Sequence, residues 1–209
     1  MVELTPYIGG IYISFITFFL ALASPGPNIL AVISASLNYG RNDAYLVASG
    51  IAFGSLTWSL TSIFGLSLLL IQFQYSIVLI KIFGGFYLLY LSYQVFLSSR
   101  NKFDLSVDSA ARVSNVKMFA RGYIVMMTNP KAPLAWIAIV SLGMQEGAPI
   151  SIGFIISLGT FVISIFVHLL YAYSFTTKSM LLLYSKYRNR IQFVLSLFFA
   201  VAGLSLLIY

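Results

Sequence analysis

The sequence predicts an all-α integral membrane protein with six transmembrane helices, arranged as two inverted three-helix repeats in which the first helix of each half is broken at proline. Three observations carry that expectation. The 209-residue chain is 60% hydrophobic and 8% charged, against roughly 25% charged in an ordinary soluble domain. Its apolar residues fall into six long blocks, and its basic residues fall into alternate loops between them. With 12 basic and 5 acidic residues there is too little ionic surface to solubilise 18 Phe, 14 Tyr and the aliphatics around them. A soluble globule is excluded, and the chain requires lipid.

A helix needs about 20 apolar residues to cross a hydrocarbon core of roughly 30 Å. The first block runs from Ile11 to Leu37, the second from Ala44 to Ile71 and the third from Ser76 to Leu97. The fourth covers Phe119 to Leu142, the fifth Ala148 to Thr177 and the sixth Ile191 to Tyr209. Between the trios, residues 98–117 carry Ser, Asn, Asp and basic residues without an apolar run, which reads as a cytoplasmic connector. The halves are therefore 1–97 and 118–209.

The net charge of +7 is distributed by side. Arg41 lies in the first loop, Arg100, Lys102, Arg112, Lys117 and Arg121 in the third, and Lys178, Lys186, Arg188 and Arg190 in the fifth. The even loops carry none. By the positive-inside rule the odd loops are cytoplasmic and both termini lie outside, so the basic excess is topogenic and not a nucleic-acid footprint. Ala21-Leu22-Ala23 resembles a signal-peptide cleavage site, but the tail before it has Glu3 and no Lys or Arg, and cleavage would leave an odd number of spans. The absence of cysteine excludes disulfides, thiolate metal sites and a cysteine nucleophile.

Both halves open on an interrupted helix, at Ser24-Pro25-Gly26-Pro27-Asn28 in the first and at Thr128-Asn129-Pro130-Lys131 in the second. Proline removes a backbone donor and clashes with the preceding turn, and Asn129 is suited to cap the helix that restarts after it. A glycine recurs inside the following helix, 27 residues after Pro27 at Gly54 and 29 after Pro130 at Gly159. An odd number of spans per half forces the halves into opposite orientations. Interrupted segments at matching places of two such halves point to a transporter's binding site, because freed backbone groups at membrane depth need a water-filled cavity.

The run Ser24-Pro25-Gly26-Pro27-Asn28, followed by Asn38-Tyr39-Gly40-Arg41 and Ser49-Gly50-Ile51-Ala52-Phe53-Gly54, resembles the amino-terminal signature of the LysE/RhtB amino-acid exporter family. Gly84-Gly85-Phe86-Tyr87-Leu88-Leu89-Tyr90-Leu91 is similar to that family's third-helix segment. Phe119-Ala120-Arg121-Gly122 with Asn129-Pro130-Lys131-Ala132 is similar to its fourth-helix motif. The resemblance covers essentially the whole chain. It implies a bacterial inner-membrane protein that exports amino acids, driven by the proton gradient. Many relatives carry Asp where this chain has Asn28, so a coupling role for a carboxylate there does not transfer.

Lys131 lies about twelve residues into the fourth block, roughly 18 Å at helical rise, too deep for its stem to reach water. An intramembrane cation costs about 2.5 to 3.5 kcal/mol on insertion scales and calls for an anion. It is expected to meet a substrate carboxylate or to titrate during transport; the alternative is a structural lysine paired with backbone carbonyls. Asn28 is its counterpart when Pro27 is aligned with Pro130. With Pro25, Gly26, Pro27, Asn129 and Pro130, these residues form the expected substrate site for a zwitterion; the alternative for Asn28 is that it only caps the break.

Arg41 and Asp43 suit topology and capping of the second helix, with gating or coupling as the functional reading. His168, the sole histidine, suits proton exchange by its reference pKa of about 6.5 but has no companions for a metal site. Gly50, Gly54, Gly84 and Gly85 read as close helix-packing points. No cofactor or metal is expected. The expected partners are a small-molecule amino acid and the bilayer, with a homodimer admitted. The competing readings are an exporter of an ion or other small metabolite with the same architecture, a membrane enzyme, for which the sequence offers no nucleophile and base set, and a scaffold, for which the paired breaks have no purpose.

Overall fold

The computed structural model describes residues 5–23, 26–72, 76–100, 114–129, 131–144 and 147–208, and among them the regular structure is all helical. After a 3-10 turn at Thr5–Tyr7 the helices are α1 (Ile8–Ala23), α2 (Pro27–Asn38), α3 (Arg41–Gln72) and α4 (Ser76–Arg100). The second half supplies α5 (Asn115–Met127), α6 (Lys131–Gly143), α7 (Ile150–Ser174) and α8 (Lys178–Ile208).

Both expected interruptions are present: α1 ends at Ala23 and α2 restarts at Pro27, while α5 ends at Met127 and α6 restarts at Lys131. Pro25 and Pro130 themselves lie outside the described residues. Among the described residues, four helical stretches are long and apolar enough to cross a membrane: Thr5–Ala23, Arg41–Gly65, Ile82–Arg100 and Ile150–Ser174. Counting α5 and α6, bent by 69° to each other, as one broken span gives five, against the six expected. Helix α8 is not among these stretches, although the 18 residues that follow Arg190 within it carry no charge.

The same helix corrects an expected boundary. The basic segment before Ile191 was expected as a loop, but α8 is helical from Lys178. It contains neither proline nor glycine before Gly203, and its Leu, Met, Lys and Arg are good helix formers, so nothing stops the helix where hydrophobicity ends. Helix α4 likewise runs on to Arg100, and α5 starts at Asn115, inside the expected connector. The rest of the connector, 101–113, lies outside the described residues.

Helix α3 is the central element and packs on α2, α5, α6 and α7, while α4 packs on α6 and α8. The main core joins the two halves through Phe18, Val47, Ile51, Met126 and Trp136, all buried. A second cluster of Tyr87, Leu88, Leu91, Leu142 and Phe199 holds α4 and α8 against α6. The outer surface is apolar as well, with Phe83, Phe86, Phe166 and Val201 exposed, as a lipid-facing surface requires.

Of the glycines expected as packing points, Gly50, Gly54 and Gly85 act as such. A Cβ on Gly50 would collide with the backbone carbonyl of Phe119, and one on Gly122 with that of Val47, so α3 and α5 touch backbone to backbone. A Cβ on Gly85 would lie 2.7 Å from Leu207 and 3.0 Å from the carbonyl of Gly203, where α4 meets α8. Gly40 has a different duty. Its φ of +86° lies in the left-handed region, which turns the chain between α2 and α3.

Candidate functional site

The starts of α2 and α6 face one cavity of about 120 Å³. Gly26, Pro27 and Asn28 border it from the first interruption, Asn129 and Lys131 from the second, and His168 from α7. The structure thus brings together residues that lie about 100 and 140 positions apart in sequence. Phe18, Leu91, Trp136, Ile139 and Phe199 supply apolar wall, and the Phe18 and Trp136 ring centroids stand 4.9 Å apart.

Each helix start is built differently. At α6 the Asn129 side-chain oxygen accepts the backbone N–H of Lys131 at 3.1 Å, and the Asn129 carbonyl accepts that of Ala132 at 3.0 Å. Asn129 is therefore the cap its position before Pro130 suggests. At α2 the cap position belongs to Gly26, in extended backbone with φ −138° and no side-chain bond, and Pro27 opens the helix. Asn28 is thus not the cap, and its side chain is available to the cavity.

The Asn28 Nδ2 donates to the Met126 sulfur at 3.1 Å, across from the first half to the second. The Asn28 Oδ1 is buried without a hydrogen-bond partner, as is His168 Nε2. Lys131 is half-buried, and among the described residues no carboxylate or carbonyl accepts a hydrogen bond from its Nζ. Asp43 is the one carboxylate in the described part of the chain. The cavity therefore presents a cation and two helix N-terminal ends, which favour a negative group, and two residues at its border, Asn28 and His168, each bury an acceptor atom without a partner.

Arg41 and Asp43 do not border this cavity. Arg41 is exposed, with its guanidinium 4.4 Å from the centroid of the Tyr173 ring. Asp43 was expected to cap the second helix; instead the Gly40 carbonyl accepts the N–H of Ala44 at 3.1 Å, and Asp43 sits buried in the first turn of α3. A carboxylate there still opposes the positive end of the helix.

Residues that sequence reasoning did not single out also shape the site. Tyr87 on α4 donates from its hydroxyl to the Lys131 carbonyl at 2.7 Å. Met126 orients Asn28, and Ser55 on α3 borders the cavity. Tyr87 lies in the Gly84–Leu91 segment that carries the family resemblance, which was the available signal. Met126 and Ser55 have no local signal, since an apolar side chain and a small hydroxyl are ordinary in packed membrane helices.

Residues 19–209 match the family model described as LysE type translocator. The chain belongs to the LysE type translocator family. Similar proteins include the uncharacterized membrane protein YahN of Escherichia coli (strain K12), 28% identical over 139 residues, which are 66% of this chain and 62% of that protein. The threonine efflux proteins of Salmonella typhi and of Escherichia coli (strain K12) are each 27% identical over 125 residues, 59% of this chain and 61% of theirs. The chain thus spans about three fifths of the length of these curated relatives. No solved structure gives a significant match. As a LysE type translocator with several long apolar helices, it is a multi-pass membrane protein, and the cavity is lined by the motifs that carry the family likeness.

Proposed function

We propose that this LysE type translocator is a secondary transporter that exports a small amino acid, or a close derivative, across the bacterial inner membrane. The observation that carries the reading is Lys131, a half-buried cation that borders the hollow at the start of α6 with no protein anion beside it among the described residues. A charge held this way is costly unless its partner arrives with the ligand. A zwitterion fits the hollow: its carboxylate meets Lys131 and the amides that open α6 and α2. The volume of about 120 Å³ is smaller than the roughly 150 Å³ that holds a benzene molecule, which favours a compact cargo. The naming of two relatives as threonine efflux proteins supports the same class.

In this reading residues 1–97 and 118–209 are inverted three-helix halves joined by the connector 98–117, and α1–α2 and α5–α6 are one broken span each. Alternating access comes from rocking one half against the other around the cavity, with both termini outside. Protons entering in exchange for the cargo supply the energy, which makes the protein an antiporter, and Arg41 and Asp43 at the cytoplasmic mouth serve the gate. The contact of α3 with α7 and of α4 with α8 supports such pairing of equivalent helices.

Counterflow of labelled amino acids in proteoliposomes at two pH values tests the proposal. The expected result is accumulation of a small amino acid that is inhibited by its unlabelled form and altered by pH. Accumulation of an ion or an unrelated metabolite, with no amino acid carried, would move the reading to another cargo, and no flux at all would overturn it.

A further inference from the structure

Asn28 and His168, which border the hollow around Lys131, each hold a buried acceptor atom without a hydrogen-bond partner, Asn28 Oδ1 and His168 Nε2. Each is oriented by a bond made at the opposite polar atom of its own side chain. Asn28 Nδ2 donates to Met126 Sδ at 3.1 Å, which fixes the amide with its oxygen unpaired. His168 is 1% exposed, and its Nδ1 lies 2.8 Å from the backbone carbonyl of Ser164. A carbonyl oxygen only accepts, so the imidazole proton resides on Nδ1 and Nε2 presents a lone pair. Leaving a buried acceptor without a donor is costly and uncommon in native structures. Two such atoms on residues bordering one hollow are best explained by a donor that arrives with the cargo.

We propose that Asn28 Oδ1 and His168 Nε2 form a subsite for a primary ammonium group, and that His168 sets the selectivity for cargo carrying a free amine. The inference rests on the reading of the hollow as an amino-acid site and adds the half of the recognition that Lys131 cannot supply. The Lys131 cation repels an ammonium and attracts the carboxylate, so the two ends of a zwitterion are sorted by charge. Two neutral acceptors hold the ammonium by charge-assisted hydrogen bonds without the fixed negative charge that would retain it, which suits a cargo that must leave. His168 then has a binding role while loaded, in place of the proton exchange its residue type suggests.

The test is counterflow in proteoliposomes with labelled L-alanine, L-serine and L-threonine as probes. Each is competed with its 2-hydroxy acid, in which a hydroxyl replaces the amine. Wild type is expected to prefer the amino acid by about tenfold or more. His168→Leu raises the KM for the amino acid by about 10- to 100-fold, the range for a hydrogen bond to a charged group. It leaves competition by the hydroxy acid within about twofold. His168→Gln, which keeps an acceptor near the Nε2 position, restores the preference. Asn28→Leu and Asn28→Asp form an independent pair, the first losing the preference and the second keeping it, so the test stands if His168→Leu fails to fold. Equal weakening of both competitors, or an unchanged preference in folded His168→Leu and Asn28→Leu, overturns the subsite while leaving the transport function standing. A wild type that carries no amino acid overturns both.

Discussion

The Tyr87 hydroxyl on α4 donates a 2.7 Å hydrogen bond to the backbone carbonyl of Lys131. From the other side Asn129 Oδ1 accepts the Lys131 backbone N–H. Both main-chain groups of one residue are thus held by side chains, one from a different helix. The first turn of α6 is pinned, and the Lys131 ammonium is presented from a fixed base.

Removing that bond loosens the turn without emptying the cavity. Tyr87→Phe is expected to cost about 1 kcal/mol of stability, the usual size of a single hydrogen bond, and to raise the KM for the cargo several-fold. Thermal unfolding in detergent and counterflow kinetics on the same preparation check both effects.

A lysine kept for structure and one kept for cargo respond oppositely to deletion. Because the Lys131 Nζ has no protein acceptor among the described residues, Lys131→Met is expected to preserve or raise thermal stability while reducing counterflow to background at equal membrane abundance. A fall in stability with retained flux would make it structural.

The contact of α3 with α5 is backbone on backbone. Gly50→Ala and Gly122→Ala each drive a methyl group into a carbonyl of the facing helix and are expected to cost about 1 to 3 kcal/mol, as overpacked sites do. Gly65→Ala is the control, since a Cβ there meets nothing within 4 Å. Melting temperatures of the three variants should separate accordingly.

The alternation of basic loops predicts both termini outside. A phosphatase reporter that works only outside the cytoplasm, fused after Tyr209, is expected to be active, and a reporter active only in the cytoplasm is expected to be silent. The reverse pattern would require a different number of spans.

The interruptions were legible because proline acts locally. Pro27 opens α2 and Asn129 caps α6 wherever the rest of the chain lies, so the sequence suffices to place both helix starts. Asn28, Lys131 and His168 were legible by type, as polar groups in apolar blocks. Their convergence on one hollow was not, since it depends on how α2, α6 and α7 pack. The role of Met126 depends on a contact 98 positions away, which no local pattern encodes. The start of α8 is not legible in hydropathy, because the helix runs on from Lys178 through a segment that is not apolar. Lys and Arg sustain a helix as well as Leu does, so hydropathy marks the lipid boundary and not the helical one.

The central claim is that the cargo occupies the hollow between the two restarted helices, and the chain's lack of cysteine allows a direct measurement. Ala135 borders the cavity on α6, so Ala135→Cys places the single thiol of the protein at its wall. The rate of its modification by a small water-soluble thiol reagent is to be measured in proteoliposomes, with and without the amino acid that wild type carries. The account predicts ready modification that the amino acid slows in proportion to its occupancy. A folded, transporting Ala135→Cys protein whose thiol is unreactive, or reacts at the same rate at saturating cargo, would contradict it.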